Sequence, residues 1–235
     1  FLLQGQDDRS VVSRSFYRKL SNRLYACGGF LRFREWLNHD NRLTLHDARF
    51  CKVHLLCPLC AIRRGGKMLR RYVERAEFIA LDHDLYLVTL TVANGDDLRE
   101  RFEHLRSGVR KLRKRAQKGY GAFSSAVGAV WSFELTRGND GKWHPHVHMV
   151  WAVPKGSAPI RWGEGSQLRA DWHSVTGDSF ITHAEKLRSD DGGGLVDAFC
   201  EVFKYALKFS SLSLSDNLEA YSALSGQRLV ASSGI

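Results

Sequence analysis

The sequence lacks the features of several common protein classes. Its 235 residues contain no apolar run near the roughly 18 to 20 residues that a membrane-spanning helix needs, so an integral membrane protein is excluded. No basic segment followed by an apolar one opens the chain, so we expect no secretory signal. No internal repeat is found. Because the chain begins with Phe1 rather than Met, we expect it to be a fragment of a longer protein.

Acidic residues are few relative to basic ones. The chain has 25 Asp and Glu against 35 Lys and Arg, a net charge of +10. This balance predicts an anionic partner, because clustered cations release counterions from phosphate backbones. Charge alone does not distinguish DNA, RNA and a membrane surface. The length and the 43% apolar content suit one large domain, or one domain with a small appendage.

Cysteines are also few, and most of them are grouped. The total of five is odd and three lie close together, which is unlike a secreted disulfide framework and typical of a metal site in a reducing compartment. We therefore expect a cytoplasmic protein. The spacing predicts a closed, structural zinc site with the ligands Cys27, Cys51, Cys57 and Cys60. His46 or His54 could replace one cysteine, and free thiols are the alternative. Cys200 is expected in the core.

Periodic patterns predict a mixed fold. Apolar residues at helical spacing predict helices within 1–25 and over 63–79, 96–118 and 195–209. Apolar and β-branched runs predict strands over 85–93, 126–135 and 144–153. Asp140-Gly141 marks a hairpin between the last two strands. The region from 154 to 194 and the tail after 209 show no pattern that we can interpret.

The last predicted strand carries three histidines. His144, His146 and His148 alternate with apolar residues, so they share one face of the strand. If the hairpin turns about 139–140, Glu134 lies opposite Pro145 and His146, within reach of an ion after a one-residue shift. Such a site suits Mg²⁺ or Mn²⁺ on a phosphate, but also iron or zinc. The alternative is a half-buried polar strand face.

The last predicted helix carries a second group. Glu201 and Tyr205 lie one turn apart, and Lys208 follows three residues later. A phenol can attack a phosphodiester, a carboxylate can activate a nucleophile, and a lysine can stabilise the developing charge. Alone, the pair is more typical of packing or of a surface hydrogen bond.

Together, these motifs resemble those of the HUH-type replication initiators of rolling-circle plasmids, in their single-tyrosine branch. They occur in the family's order: Cys27-Gly28, the cysteine block 50–60, Leu87-Val88-Thr89-Leu90-Thr91-Val92, His144-Pro145-His146-Val147-His148, and Glu201-Val202-Phe203-Lys204-Tyr205 with Lys208. The resemblance implies an α+β fold. Its centre would be an antiparallel sheet of about five strands, ferredoxin-like, flanked by helices. The histidine strand would be central, with the tyrosine helix beside it.

The resemblance also implies roles for residues. His146 and His148 would bind a catalytic Mg²⁺ or Mn²⁺ with Glu134 as third ligand, and His144 would be a fourth ligand or a supporting group. Tyr205 would attack the scissile phosphate of single-stranded or hairpin origin DNA. The products would be a 5′-phosphotyrosine and a free 3′-OH primer. Glu201 would activate water or assist termination. A host helicase and polymerase are the other expected partners, and no membrane is expected.

Two basic clusters would contact this DNA. Their residues are Arg63, Arg64, Lys67, Arg70, Arg71, Arg110, Lys111, Arg113, Lys114 and Arg115. The alternative is a solvated surface. Trp143 and Trp151 would either stack on bases or lie in the core. We expect a zinc-binding segment with its flanking helices over 1–80, the HUH endonuclease domain over 81–210, and a tail of unclear structure over 211–235.

Three other interpretations remain open. An HUH-type transposase commonly has two tyrosines on the helix, whereas only Tyr205 lies there. A non-catalytic zinc-ribbon protein that binds nucleic acid would use the histidine strand and the tyrosine helix structurally. A metal oxygenase with a His-x-His strand would leave the basic charge unexplained.

Overall fold

A central sheet and two layers of helices form the fold of this protein. The computed structural model describes residues 8–37, 41–187, 194–207 and 212–234. The strands are β1 (Leu31–Trp36), β2 (Arg42–Ala48), β3 (His83–Thr91), β4 (Gly128–Arg137), β5 (Trp143–Pro154), β6 (Thr182–Lys186) and β7 (Val230–Ser233). The helices are α1 (Asp8–Tyr25), α2 (Pro58–Ile79), α3 (Leu98–Gln117), α4 (Gln167–Thr176), α5 (Gly194–Leu207) and α6 (Leu214–Leu224).

Five strands form the main sheet, in the order β6-β3-β5-β4-β7. Every neighbouring pair is antiparallel. The prediction of an α+β fold with a five-stranded antiparallel sheet is confirmed, and the histidine strand β5 is its central strand. β1 and β2 form a separate two-stranded hairpin. Within the described residues, no helix has the length and apolarity needed to cross a bilayer.

The two faces of the sheet are covered by different helices. Because side chains alternate along a strand, Val147 and Met149 of β5 point to the face under α3 and α4, where both are fully buried. Val150 points to the other face and packs with Phe199 and Phe203 of α5, beside α2. The three histidines lie at every second position before Val150, so they point to the same face as Val150. The face that carries them is therefore the face covered by α5.

The helices begin where local sequence favours them. Asp97 precedes α3, and its carboxylate accepts a hydrogen bond from the Glu100 amide at 2.9 Å, as an N-cap residue does. α2 begins at Pro58 rather than at 63 because proline suits the first helical position. Cys57 is therefore the N-cap residue of α2 and Cys60 lies in its first turn, so this pair belongs to the helix instead of preceding it.

Several elements carry no readable sequence pattern. α4 and β6 lie between 154 and 194, and α6 and β7 lie in the C-terminal tail. β6 extends the sheet beside β3, and β7 extends it beside β4. Both are short edge strands. α6 joins the cores, because Leu224 packs under the sheet and Tyr221 packs against the cysteine segment.

Candidate functional site

The turn between β4 and β5 determines which residue faces the histidines. Gly138–Lys142 separates the strands, and Arg137 pairs with Trp143. This turn has an odd number of residues, and Gly141 takes a positive φ of 73° within it. The register consequently places Glu134 directly opposite His146, one residue from the pairing expected for a turn about 139–140. The one-residue shift anticipated from the sequence is present.

Glu134, His146 and His148 converge into one cluster. Their ligand atoms all lie within 4.8 Å of one another. The Oε2 atom of Glu134 lies 3.0 Å from His148 Nε2 and also contacts His146 Nε2. Glu134 is only 6% exposed. Burial acts to raise the pKa of this carboxyl, but hydrogen bonds from His146 and His148 outweigh it and hold the pKa below its usual range.

The donor set of this cluster fits a divalent cation. One carboxylate and two imidazoles on adjacent strands can bind an ion from one side and leave coordination positions for water or a phosphate oxygen. Within the described residues, the structure contains two groups of three or more metal-ligand side chains, this triad and the four cysteines. The triad is the one that leaves positions open.

Thr89 supports the triad from the neighbouring strand. It lies opposite His148 on β3, and its Oγ1 is 3.1 Å from His148 Nδ1. A hydrogen bond to one ring nitrogen fixes the orientation of the other, which here faces the Glu134 carboxylate. Sequence reasoning missed this contact. The available signal was a hydroxyl residue in the otherwise apolar Leu87-Val88-Thr89-Leu90 run.

His144 lies beside the triad but has a different partner. Its Nδ1 is 2.6 Å from the Asn94 Oδ1, and the Asn94 amide nitrogen donates to Asp140 at 3.0 Å. The rings of His144 and His146 have centroids 5.5 Å apart. Burial and the neighbouring His146 lower the pKa of His144. Its role as a fourth ligand stays a prediction, and Asn94 is a neighbour that the sequence did not indicate.

Helix α5 lies directly against the triad's face of the sheet. Phe199, Val202 and Phe203 are buried there. The Ser132 hydroxyl donates a hydrogen bond to the Val202 carbonyl. Ser132 is paired with His148 across β4 and β5. The backbone of α5 is therefore fastened to the sheet next to the triad.

The predicted nucleophile and its carboxylate lie on this helix. Glu201 precedes Val202, and Tyr205 follows it by three residues, within the α5 range. The helix backbone thus carries both positions past the triad's face of the sheet. Lys208 lies outside the described residues. The catalytic roles of all three stay predictions.

The four cysteines form a second cluster, in the segment before the sheet. Cys27 Sγ lies 3.6 Å from Cys60 Sγ and 3.5 Å from Cys57 Sγ, and Cys51 Sγ lies 3.5 Å from Cys60 Sγ. Bonds of about 2.3 Å in a tetrahedral zinc site place sulfurs about 3.8 Å apart. The geometry therefore fits one zinc ion. Neither His46, His54 nor Cys200 belongs to this group.

Backbone amides and a helix end surround the sulfurs. The Cys51 amide donates to Cys27 Sγ and the Val53 amide donates to Cys51 Sγ, each at 3.4 Å. Cys57 is the N-cap residue of α2, where the helix dipole favours negative charge. Burial raises the pKa of the Cys51 and Cys60 thiols. A bound divalent cation would oppose that effect, because coordination deprotonates thiols.

Comparison with known proteins identifies the family. The family model described as Replication protein matches residues 42–235. The chain belongs to this replication protein family. The resemblance to the rolling-circle plasmid initiators is thereby confirmed, while the single-tyrosine branch stays a prediction. No solved structure matches the chain.

Two relatives, each named Protein rep, have similar sequences. The protein from Bacillus amyloliquefaciens is 30% identical over 255 aligned positions, which cover 95% of this chain and 73% of the relative. The protein from Lentilactobacillus hilgardii is 29% identical over 214 positions, which cover 84% of this chain and 65% of the relative. The chain thus spans between about two thirds and three quarters of these relatives' lengths.

The two basic clusters of this replication protein lie on opposite sides of the sheet. The cluster on α2 is exposed throughout and lies on the side of α5 and the triad; it comprises Arg63, Arg64, Lys67, Arg70 and Arg71. The cluster on α3 lies on the other side and comprises Arg110, Lys111, Arg113, Lys114 and Arg115. The α2 cluster is therefore the one nearer to the candidate site.

Three cations of the α3 cluster have partners within the protein. Arg113 lies over the Trp131 ring at 4.2 Å, and burial lowers its pKa. Lys111 donates to the Val175 carbonyl at 3.3 Å, and Arg115 donates to the Ser174 hydroxyl. The contacts of Lys111 and Arg115 hold α3 against α4, and the contact of Arg113 joins α3 to β4. They give the α3 cluster a structural role, whatever its part in DNA binding.

The two tryptophans of β5 belong to the core. Trp143 is fully buried and donates through Nε1 to Glu219 at 2.9 Å. Trp151 stacks on Phe123 with ring centroids 4.1 Å apart. Of the two interpretations drawn from the sequence, core packing is therefore the one that the structure favours.

Proposed function

We propose that this replication protein is a metal-dependent HUH endonuclease with a single catalytic tyrosine. It nicks and joins single-stranded DNA at the double-strand origin of a plasmid. Origin DNA, in single-stranded or hairpin form, is its substrate, and a host helicase and polymerase use the nicked product. We also keep the expected division of the chain at 80 and 210 as part of this proposal.

One observation carries the proposal. Glu134, His146 and His148 converge on the face of the central strand against which α5 packs. An open ion site and a helix that bears a tyrosine are the two components that transfer of a phosphodiester to a phenol requires. The family membership favours replication initiation over the transposase interpretation.

The residues of the chain divide the chemistry between them. A divalent ion held by the triad would neutralise charge on the scissile phosphate. Thr89 keeps the His148 ring oriented for that ion. The phenol oxygen of Tyr205 forms a bond to phosphorus as its proton passes to solvent. The P–O3′ bond breaks, and the departing 3′ oxygen takes up a proton to become the 3′-OH primer.

Glu201 and Lys208 act around the same phosphate. Lys208 offsets the negative charge that develops during attack. Glu201 accepts a proton from water, or places a second attacking group, when the replication round terminates. The 5′-phosphotyrosine is then resolved and the strand is released or joined. The exposed α2 cluster binds the backbone of the incoming strand.

Adduct formation tests the proposal. The protein is incubated with Mn²⁺ and labelled single-stranded oligonucleotides that tile the origin of its replicon, and is then run on denaturing gels. We expect a covalent adduct that disappears with EDTA and in Tyr205→Phe. Tyr120→Phe, at a tyrosine 66% exposed and remote from α5 in sequence, is the matched control and should keep the adduct.

Other outcomes would contradict specific parts of the proposal. An adduct that persists in Tyr205→Phe would assign the nucleophile to another residue. Absence of any adduct across the whole origin would favour a non-catalytic zinc-ribbon protein that binds nucleic acid.

A further inference from the structure

The hairpin formed by β1 and β2, here called the ribbon, is attached at its base to the cysteine cluster. Cys27 lies just before the ribbon and Cys51 just after it. The Gly28 amide donates to the Arg49 carbonyl at 2.8 Å, and the Arg49 amide donates to the Phe30 carbonyl at 3.0 Å. The two strands are therefore joined at their base to the segment that carries the cysteines.

The ribbon has no core to support. Every residue of β1 is exposed, and in β2 only Thr44 and Ala48 are half-buried. A surface hairpin of this kind contributes little apolar burial, so packing does not account for its aromatic and arginine content. Its side chains are available to a partner.

Pairing register divides the ribbon into two unlike faces. Partners across antiparallel strands share a face, so Arg32, Arg34 and Trp36 lie with Thr44 and Arg42. We call this the arginine face. The opposite face carries Leu31, Phe33, Leu43 and Leu45, with Glu35 opposite Leu43.

The arginine face carries more positive than negative charge. Within the described part of the chain, none of its three arginines has an ion-pair partner, and Asp47, opposite Arg32, is the carboxylate that shares the face. Trp36 donates to Thr44 Oγ1 at 2.9 Å and lies beneath the Arg34 guanidinium at 5.5 Å. These contacts hold the indole on the ribbon. The groups that this face presents to a partner are therefore mainly guanidinium groups.

We propose that the arginine face binds the backbone of double-stranded DNA, separately from the triad. Guanidinium groups donate in a fork that matches phosphate oxygens. At about 3.4 Å per residue the ribbon is roughly 20 Å long, and a two-stranded ribbon fits the major groove, which is about 12 Å wide. The inference rests on the proposed function only in taking the duplex to be the origin. The contact itself requires no nicking chemistry.

Salt-dependent binding tests the ribbon. Affinity of the full, zinc-loaded chain for a labelled duplex of about 30 base pairs is measured by fluorescence anisotropy over a range of salt. In Arg32→Gln/Arg34→Gln/Arg42→Gln, we expect the slope of log K against log salt to fall by about 2 to 3 and affinity to drop at least roughly tenfold. Arg→Lys at the same positions should largely keep the slope.

The matched control removes the same charge elsewhere. Lys118→Gln/Arg161→Gln/Arg228→Gln changes three exposed cations outside the ribbon and should alter the slope much less. An equal loss in both triple variants would reduce the effect to net charge and overturn the proposal. So would a loss confined to single-stranded DNA.

Two further readouts separate this inference from the proposed function. Zinc content and unfolding temperature of the ribbon variant should match those of the parent, because the altered side chains are exposed. Adduct formation on a short single-stranded oligonucleotide should also be unchanged. If adducts never form in the parent but duplex binding still depends on the ribbon, the nuclease proposal fails and the ribbon proposal stands.

Discussion

Removal of one hydroxyl tests whether Thr89 positions the metal site. Thr89→Val is nearly isosteric and deletes the group 3.1 Å from His148 Nδ1. Loss of such a supporting hydrogen bond typically weakens metal binding about 10- to 100-fold, or about 1.4 to 2.7 kcal/mol. The strand and its apolar packing stay in place, so we expect the loss in Mn²⁺ affinity and little change in the fold.

The expected loss of Mn²⁺ affinity can also be measured as a loss of thermal stabilisation by Mn²⁺. Mn²⁺ at about 100 times the Kd of the parent protein stabilises its fold by about 2.7 kcal/mol. For a variant that binds about tenfold more weakly, the same concentration gives about 1.4 kcal/mol. The metal-induced rise in unfolding temperature should therefore be roughly halved. Calorimetric titration with Mn²⁺ supplies the Kd directly.

A second threonine provides the control for this experiment. Thr136 Oγ1 donates to the His144 backbone carbonyl at 3.2 Å, so Thr136→Val also loses a hydrogen bond on a neighbouring strand without freeing an imidazole. Its Mn²⁺ affinity should stay close to that of the parent. Parental affinity in Thr89→Val, or an equal loss in Thr136→Val, would refute the positioning role.

Three further perturbations have defined outcomes. Cys57→Ser should lower bound zinc by about one ion per chain in metal analysis, and unchanged zinc and stability would rule out the four-thiolate site. Phe203→Ala should destabilise the fold by about 3 to 5 kcal/mol in urea unfolding, because Phe203 is fully buried between α5 and the sheet. Arg137 Nε lies 3.1 Å from Asp216 Oδ1, and the guanidinium lowers the pKa of that carboxyl. The ion pair therefore stabilises the fold above the carboxyl's unfolded pKa of about 3.9, and this stabilisation is lost on acidification. Asp216→Asn should therefore be less stable than the parent near pH 6, with a difference that shrinks below about pH 4; a constant difference would contradict the ion pair.

Local sequence patterns were sufficient for the centre of the sheet. Alternation along β5 predicted that His146 and His148 share a face, and a hairpin about 139–140 predicted Glu134 opposite Pro145 and His146, one residue from the observed pairing with His146. Both depend on neighbours close along the chain. The exact register was the weak point, because one extra turn residue moves every pair.

Long-range pairings were not predictable from the same patterns. The buried positions of β6 are Thr182 and Ala184, of which only Ala184 is apolar, and β7 is four residues long, so neither shows a clear apolar alternation in the sequence. Their place is determined by the open edges of β3 and β4, which lie far away in the sequence. The ribbon was missed for a related reason, because an exposed hairpin needs no apolar periodicity. Thr89 was missed because its partner lies on another strand.

The strand order has a consequence for how the protein is made. A chain leaves the ribosome from its N-terminus, and domains begin to fold as they emerge. Glu134, His146 and His148 lie on two consecutive strands, and all three are synthesised about 60 to 70 residues before Tyr205. The edge strand β7 is added later still. The ion-binding half of the centre can therefore take shape on the nascent chain before the residue proposed to attack DNA has been translated.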